Sequence, residues 1–210
     1  MKASYLTLAG PGRAEITIQR SRFIGRAWPC VSEAEALLHI REAKEKTRDA
    51  SHHCWAYVVG QNEGIIRYSD DGEPGGTAGL PIVSLIRAER LVDCCVVVTR
   101  YFGGVLLGTG GLVRAYTQGC RIALDAAHIV RMELTCLDLC EIPYSVWDKV
   151  RYVLEQLPAK IDKVEYGSAI SFILKTRQKD HEQILAQLEQ ASSRQMLCMK
   201  DEEKYDAWDV

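Results

Sequence analysis

The chain has 210 residues, of which 47% are hydrophobic and 26% charged, so it can form one or two globular domains with buried cores. Its formal net charge of −2 lacks the strong basic excess of most nucleic-acid-binding domains, although a local basic patch stays possible. No apolar run approaches the ~18 residues of a membrane span. The N-terminal residues MKASYLTLAG lack the apolar core of a signal peptide, so we expect a cytoplasmic protein without membrane contact.

Charge and cysteine spacing narrow the possible chemistry. Residues 1–130 carry 15 Lys and Arg against 13 Asp and Glu, and residues 131–210 carry 11 against 15, giving +2 and −4. The eight cysteines include no C-x-x-C pair, so neither a zinc ribbon nor a thioredoxin-like motif is indicated. We therefore expect reduced structural thiols, no metal site and no cofactor.

The first part of the chain predicts a ββαββαβα order. Alternation in RAEITIQRSRFIGRAWP predicts two strands that meet near Arg20–Arg22. A helix follows, because Ser32 and Glu35 have the spacing of a capping box. CWAYVVG and GIIRYS predict strands around a QNEG turn, and Pro81 suits the first turn of a second helix. CCVVVTRYF predicts a strand buried on both faces, and a third helix begins near Gly110.

The second part predicts a β-α-β-β-α-β order. A strand MELTCLDLCEI precedes a helix that Ser145 should cap, and two strands then meet at 166–168. A helix within DHEQILAQLEQA and a strand in QMLCMKDEE complete the ferredoxin-like pattern. The acidic tail DEEKYDAWDV predicts a solvated end. The fold class is therefore α+β, with domains at residues 1–130 and 131–210.

The stretch RYSDDGEPGGTAGLP concentrates carboxylates and glycines in one loop. Asp70, Asp71 and Glu73 supply oxygen ligands that Mg²⁺ or Ca²⁺ accepts. Their spacing does not fit an EF-hand loop, however. The alternative is that the aspartates hold a turn through side-chain-to-backbone hydrogen bonds while the glycines take positive φ.

A second glycine-rich stretch, TRYFGGVLLGTGGLVRAY, connects a buried strand to a helix. A strand, a glycine loop and a helix N-terminus leave backbone N–H groups free to hold an anion. Arg100 closes the strand and Arg114 lies in the first helical turn, so both guanidinium groups can reach the same place. No complete nucleotide-binding fingerprint is present. The alternative is close strand–helix packing that only glycine permits.

The sequence SHHCWAY offers a thiol beside two imidazoles, a pattern that invites a nucleophile. Cys54, however, begins an apolar strand in which adjacent residues point apart. We interpret His52 as a hydrogen-bonding anchor of the loop. No catalytic residue is assigned, so the sequence leaves enzymatic activity uncertain and leans against it.

ASHHCWAY, YSDDGEPGGTAGLPI and VVVTRYFGGVLLGTGGLVRAY together resemble the signature of the IMPACT / YigZ family. The resemblance implies a first domain like the second domain of a small-subunit ribosomal protein and domain IV of elongation factor G. It implies a ferredoxin-like second domain resembling domain V of that factor. Eukaryotic relatives restrain a starvation-responsive kinase pathway through a partner protein and associate with ribosomes. His53 departs from the asparagine usual in the family.

The leading hypothesis is a translation-associated protein that binds RNA or the ribosome, with translation-regulating proteins as a further class of partner. The predicted nucleic-acid or anion-binding residues are Asp70, Asp71, Glu73, Thr77, Arg100, Tyr101, Gly103, Gly104, Gly110, Gly111, Arg114 and His52. Arginines would neutralise phosphate and Tyr101 would stack on a base. The alternatives are a phosphate-ligand-binding protein or metal-assisted enzyme that uses Asp70, Asp71 or Glu73, and a protein-interaction module that docks through the second domain.

Overall fold

A computed structural model describes residues 4–62 and 64–210, and these residues fall into two compact units. The first unit contains residues up to 131 together with 208–210, and the second contains 132–207. The elements of the first unit are β1 (Ser4–Leu8), β2 (Gly12–Ile18), β3 (Ser21–Pro29), α1 (Glu33–Lys46), β4 (His52–Val59), β5 (Ile65–Ser69), α2 (Gly79–Ala88), β6 (Cys94–Tyr101) and α3 (Gly108–Ala127).

The first unit is built on an antiparallel sheet in the order β2-β3-β6-β4-β5. Alternate residues of the central strand β6 enter two cores. Val96 and Val98 pack with α2 and α3 on one face, and Cys95 and Val97 pack with α1 on the other. The strand is thus buried on both faces, as its continuous apolar sequence predicts.

The second unit is a four-stranded sheet with two helices. Its elements are β7 (Ile129–Ile142), which begins in the first unit, α4 (Tyr144–Leu154), β8 (Ala159–Tyr166), β9 (Ile170–Arg177), α5 (His181–Ala191) and β10 (Leu197–Asp209). The strand order β10-β7-β9-β8 is that of a ferredoxin-like βαββαβ fold. The predicted α+β class and element orders are confirmed, with β1 added before the first domain's pattern.

The capping residue predicted from the sequence is confirmed at the start of α1 and is wrong at the start of α4. The backbone N–H of Glu35 donates to Ser32 Oγ at 3.2 Å, as the capping box predicts. The Glu35 carboxylate accepts from the N–H of Val31, one residue before the cap. The prediction that Ser145 caps α4 is wrong, because the helix begins at Tyr144 and Pro143 holds the capping position. Proline fixes φ near the helical value and so suits a helix start.

The solvated tail predicted for residues 201–210 is found only in part, because residues 201–204, 209 and 210 are exposed but the segment forms a strand. Strand β10 continues to Asp209, and the side chain of Trp208 is only 4% exposed. Burial of this large aromatic side chain stabilises the strand relative to a free end. None of the described helices is both long and apolar enough to cross a membrane.

The expectation that all the cysteines are reduced is wrong for one pair. Cys140 on β7 and Cys198 on β10 form a disulfide within the second unit. The other six cysteines are free and buried. The two partners lie 58 residues apart in sequence, so no local spacing motif signals the bond.

We expect protein purified without reductant and then denatured to show six free thiols by reaction with a thiol-specific dye. The variant Cys198→Ser should show one more, because Cys140 is released from the bond. Eight reactive thiols in the wild-type protein would contradict the disulfide.

Residues 1–131 and 132–210, expressed separately, should each unfold cooperatively, because each unit has its own apolar core. Thermal melts followed by circular dichroism test this. A fragment without a cooperative transition would show that its core is not sufficient for folding.

Candidate functional site

Asp70 organises the acidic glycine-rich loop from within. Its carboxylate accepts backbone N–H groups of Gly76 at 2.8 Å, Ala78 at 3.0 Å and Gly79 at 2.8 Å. Ala78 precedes α2 and has no side chain that can cap it, so Asp70 satisfies the helix N-terminus from a distance in sequence. Asp70 therefore holds the turn through side-chain-to-backbone hydrogen bonds, which was the alternative to a role as a metal ligand.

Asp71 joins the loop to α1 and β4. Its carboxylate accepts from Lys44 Nζ and from the backbone N–H of His53, both at 2.7 Å. Asp70 and Asp71 thus direct their oxygens at different partners. Within the described residues, no three His, Cys, Asp or Glu side chains converge as a metal site. The metal site considered for Asp70, Asp71 and Glu73 is not formed by this arrangement.

Glu73 forms a buried ion pair with Arg100. Arg100 Nη1 donates to Glu73 Oε1 at 2.7 Å, and the hydroxyl of Tyr116 donates to the same oxygen at 2.7 Å. The side chains of Glu73 and Arg100 are only 4% and 6% exposed. Burial, together with the bond to Glu73, raises the pKa of Tyr116 far above its usual range, so the phenol keeps its proton.

Arg100 is enclosed on its other sides as well. Its guanidinium lies 5.6 Å from the ring centre of Phe23 and 5.4 Å from that of Phe102, and Nη2 lies 3.4 Å from Ser21 Oγ. The expectation that Arg100 shares an exposed cationic patch with Arg114 is therefore wrong. The acidic loop supplies the counter-charge that allows this arginine to be buried.

A cleft of about 540 Å³ opens where the two glycine-rich stretches meet. It is lined by Ser51, His52, Gly72, Glu73, Pro74, Arg100, Phe102, Leu106, Leu107, Gly108, Thr109 and Leu112. Three predicted residues, His52, Glu73 and Arg100, are among them. The cleft has a polar side formed by these three and an apolar side formed by the 102–112 segment, and the first residues of α3 reach its edge.

His52 is fixed in one orientation at the cleft. Its Nδ1 lies 2.9 Å from the carbonyl oxygen of Asp71, which can only accept, so Nδ1 carries a proton. Nε2 is left facing Glu73 Oε1 at 4.0 Å. This placement agrees with the interpretation of His52 as a loop anchor, and it also leaves one ring nitrogen available to a ligand.

The neighbours of His52 have structural roles. His53 Nε2 lies 3.0 Å from both Oγ1 and the carbonyl oxygen of Thr47, and burial lowers the pKa of its imidazole. The thiol of Cys54 donates to the carbonyl of Asp70 at 3.0 Å. Burial raises the pKa of Cys54 to about 12, so the thiolate needed for nucleophilic attack does not form near neutral pH.

The predicted glycines separate into packing and surface positions. A Cβ on Gly103 would collide with the backbone of Arg20, so Gly103 permits close packing between the 103 loop and the β2–β3 turn. Gly104 has φ +79° and is exposed. Gly110 and Gly111 lie in the first turn of α3. Arg114 folds back over that turn, with Nη1 3.8 Å from the position of a Cβ on Gly110.

Nine of the twelve predicted residues lie outside the cleft lining, among them Thr77, Tyr101 and Arg114. Thr77 is buried, and its hydroxyl donates to the carbonyl of Pro74 at 2.7 Å, so its placement as a ligand contact is wrong. The Tyr101 hydroxyl donates to Asp49 Oδ1 at 3.0 Å, and the guanidinium of Arg22 lies 5.7 Å from its ring centre.

The apolar side of the cleft was not among the residues predicted from the sequence. Phe102 and Leu106 lie in the second glycine-rich stretch, and Leu106 is 86% exposed. Large apolar residues between glycines in a loop cannot all be buried in a core, and this pattern was an available signal of a binding surface.

We expect Glu73→Gln to lower the free energy of unfolding by about 3 kcal/mol, because it leaves the charge of Arg100 buried and uncompensated. The control Glu89→Gln breaks a pair with Arg121 at 2.6 Å whose side chains are 33% and 40% exposed, and should cost under about 1 kcal/mol. Urea unfolding of both variants checks this. Equal losses would show that burial adds nothing to the Glu73 pair.

Comparison with known proteins places both units in described families. The Impact N-terminal domain matches residues 19–124, and a domain of unknown function, DUF1949, matches residues 140–193. A solved structure titled "Crystal structure of an hypothetical protein" is similar with a TM-score of 0.61 and 29% identity, covering 97% of this chain and 100% of that one.

Curated bacterial relatives extend over most of the chain. The IMPACT family member YvyE of Bacillus subtilis is 36% identical over 180 residues, covering 86% of this chain and 83% of the relative. An IMPACT family member of Haemophilus influenzae is 34% identical over 91% of this chain and 94% of its own length. YigZ of Escherichia coli is 39% identical over 80% of this chain and 83% of its own length. With these relatives and the matched N-terminal domain, the chain belongs to the IMPACT family.

Proposed function

We propose that the protein is a translation-associated regulator that binds RNA, free or within the ribosome, through the cleft of the first unit. The observation that carries this proposal is the meeting of the two glycine-rich stretches at one cleft, with the N-terminus of α3 at its edge. The proposal assigns a phosphate to the helix end and a nucleoside to the apolar side.

The helix end supplies the phosphate contacts. The first four N–H groups of an α-helix have no intrahelical acceptor, and the helix dipole favours negative charge there. In α3, whose N-cap is Leu107, these groups belong to residues 107–110, and Gly108 and Gly110 have no side chain that could obstruct a phosphate oxygen. Arg114 is exposed and folds back over the same turn, where its charge adds to the field of the helix.

The remainder of the cleft suits a nucleoside. Phe102 and Leu106 are 49% and 86% exposed and offer apolar area against which an unstacked base can lie. Nε2 of His52 and the carboxylate of Glu73 can accept hydrogen from a ribose hydroxyl or a base amine. Proteins read RNA mainly at single-stranded positions, where bases are free to enter such a site. The 2′-hydroxyl gives these acceptors a means of preferring RNA over DNA.

The link to translation rests on family membership. The eukaryotic relatives include a protein IMPACT homologue of Dictyostelium discoideum and protein IMPACT-A of Xenopus tropicalis, which are 32% and 35% identical over 44% of this chain. This chain covers only 28% and 30% of their lengths. We therefore propose a role in translation only for the domain that this chain shares with these relatives. The activity of the longer proteins as a whole is not assigned to it.

A second candidate is a phosphorylated small ligand in place of RNA. The cleft volume of about 540 Å³ is typical of small-molecule sites, which supports this candidate. Both candidates use the α3 terminus, so they differ in whether affinity grows with the length of the nucleic acid.

Arg114→Glu should weaken binding to single-stranded RNA and to ribosomes, and should flatten the slope of log affinity against log salt by about 0.7 for the lost phosphate contact. Filter binding at several salt concentrations measures both quantities. Arg90→Glu is the matched control, because Arg90 is also exposed but follows the C-terminal end of α2, whereas Arg114 folds over the first turn of α3.

Wild-type protein without salt-dependent binding to RNA or ribosomes would overturn the proposed function. Equal weakening by Arg114→Glu and Arg90→Glu would show a general charge effect and remove the assignment to the cleft. Binding of a mononucleotide as tightly as a long single strand would favour the small-ligand candidate.

A further inference from the structure

A second groove, of about 480 Å³, runs between α1 and β4 in the first unit. It is lined by Leu37, Ile40, Arg41, Lys44, Glu45, Arg48 and Trp55. None of these residues belongs to the cleft. The groove combines an aromatic floor with a mainly basic rim.

The aromatic floor is rigid. Trp55 is half-buried, and its ring stacks on that of Tyr57 with centroids 5.6 Å apart and planes 6° from parallel. Both side chains pack against the core under α1. A ring held in this way loses no rotational freedom when a second planar group stacks on it, so binding costs little entropy.

The rim carries more positive than negative charge. Arg41 and Arg48 are exposed, and Lys44 is held by Asp71, while Glu45 is the acidic member. Arg41 lies on α1 and Arg48 lies two residues after the last residue of that helix, and both side chains line the groove.

The groove borders the cleft. Lys44 lines the groove and binds the Asp71 carboxylate, and the carbonyl of Asp71 binds His52, which lines the cleft. Arg48 and Ser51 lie three residues apart and face the groove and the cleft, respectively. The groove and the cleft are therefore connected through Asp71 and through residues 48–51.

We propose that this groove is a second RNA subsite, in which an unpaired base stacks on Trp55 while Arg41 and Arg48 contact the flanking phosphates. The inference rests on the proposed function and specifies its substrate as single-stranded RNA longer than one nucleotide. A flat, immobilised aromatic ring between cations matches a base between phosphates, since every base has a face that can stack. An acidic peptide would satisfy the rim but would make no particular use of the ring plane.

The stacking test uses fluorescence anisotropy with a fluorescein-labelled oligouridine of about 12 nucleotides, chosen so that one strand can span both sites. Trp55→Ala should weaken binding roughly tenfold, within the range that stacking contributes per base, without changing the salt slope. Trp55→Tyr should keep most of the affinity. Trp28→Ala is the matched control, because Trp28 is half-buried on the same sheet and stacks on His39 away from the groove.

The charge test uses Arg41→Gln and Arg48→Gln, each of which should flatten the salt slope by about 0.7. Lys46→Gln, on the same helix but outside the groove lining, should leave the slope unchanged. If Trp55→Ala does not fold, Trp55→Leu removes the stacking ring while keeping an apolar side chain. The binding measurement is then made on Trp55→Leu and on the arginine variants.

Wild-type binding to the oligouridine with no loss in the Trp55 and arginine variants would overturn the second subsite and leave the proposed function standing. Failure of the wild-type protein to bind the oligouridine at any salt concentration would overturn both. Binding of a labelled octaglutamate that Arg41→Gln and Arg48→Gln abolish, with oligouridine binding unaffected by those variants and by Trp55→Ala, would assign the groove to an acidic peptide and overturn the subsite.

Discussion

The buried ion pair between Arg100 and Glu73 is the interaction on which the cleft depends. It joins the end of the central strand to the acidic loop, and through Tyr116 and Ser21 it also reaches α3 and β3. Two charges removed from water are costly unless their geometry and remaining hydrogen bonds are satisfied. Each of these four elements therefore has to keep its position for the pair to be stable, and the shape of the cleft follows from that requirement.

This pairing also decides where positive charge is available. Arg100 is neutralised inside the molecule, so the field that an anion meets comes from the α3 terminus and from Arg114. Two further exposed cations, Arg41 on α1 and Arg48 just after that helix, line the groove. A domain with a small net charge can thus offer local sites for phosphate, because the acidic residues of its loop are occupied by internal partners.

Local patterns in the sequence predicted most elements, since periodicity and the Ser32 cap depend on residues close together in the chain. Non-local partners were not predictable in the same way. Adjacent loop carboxylates turn to different elements, and Cys140 pairs with a cysteine 58 residues away. Part of the cleft was predicted, because its glycines and arginines indicated a binding site. The burial of Arg100 was not predictable, because it depends on the Glu73 carboxylate, whose position only the fold determines.

The buried free cysteines of the first unit can report when its fold opens. Burial raises the pKa of Cys30 and Cys54 to about 12, and raises that of Cys94 and Cys95 well above its usual range. In the closed fold these sulfurs are neither ionised nor reachable, whereas an opened chain exposes ordinary thiols with pKa values near 8.5. Alkylation of the native protein must then wait for an opening fluctuation. The order in which these sulfurs become labelled therefore records the sequence in which the two faces of the sheet come apart.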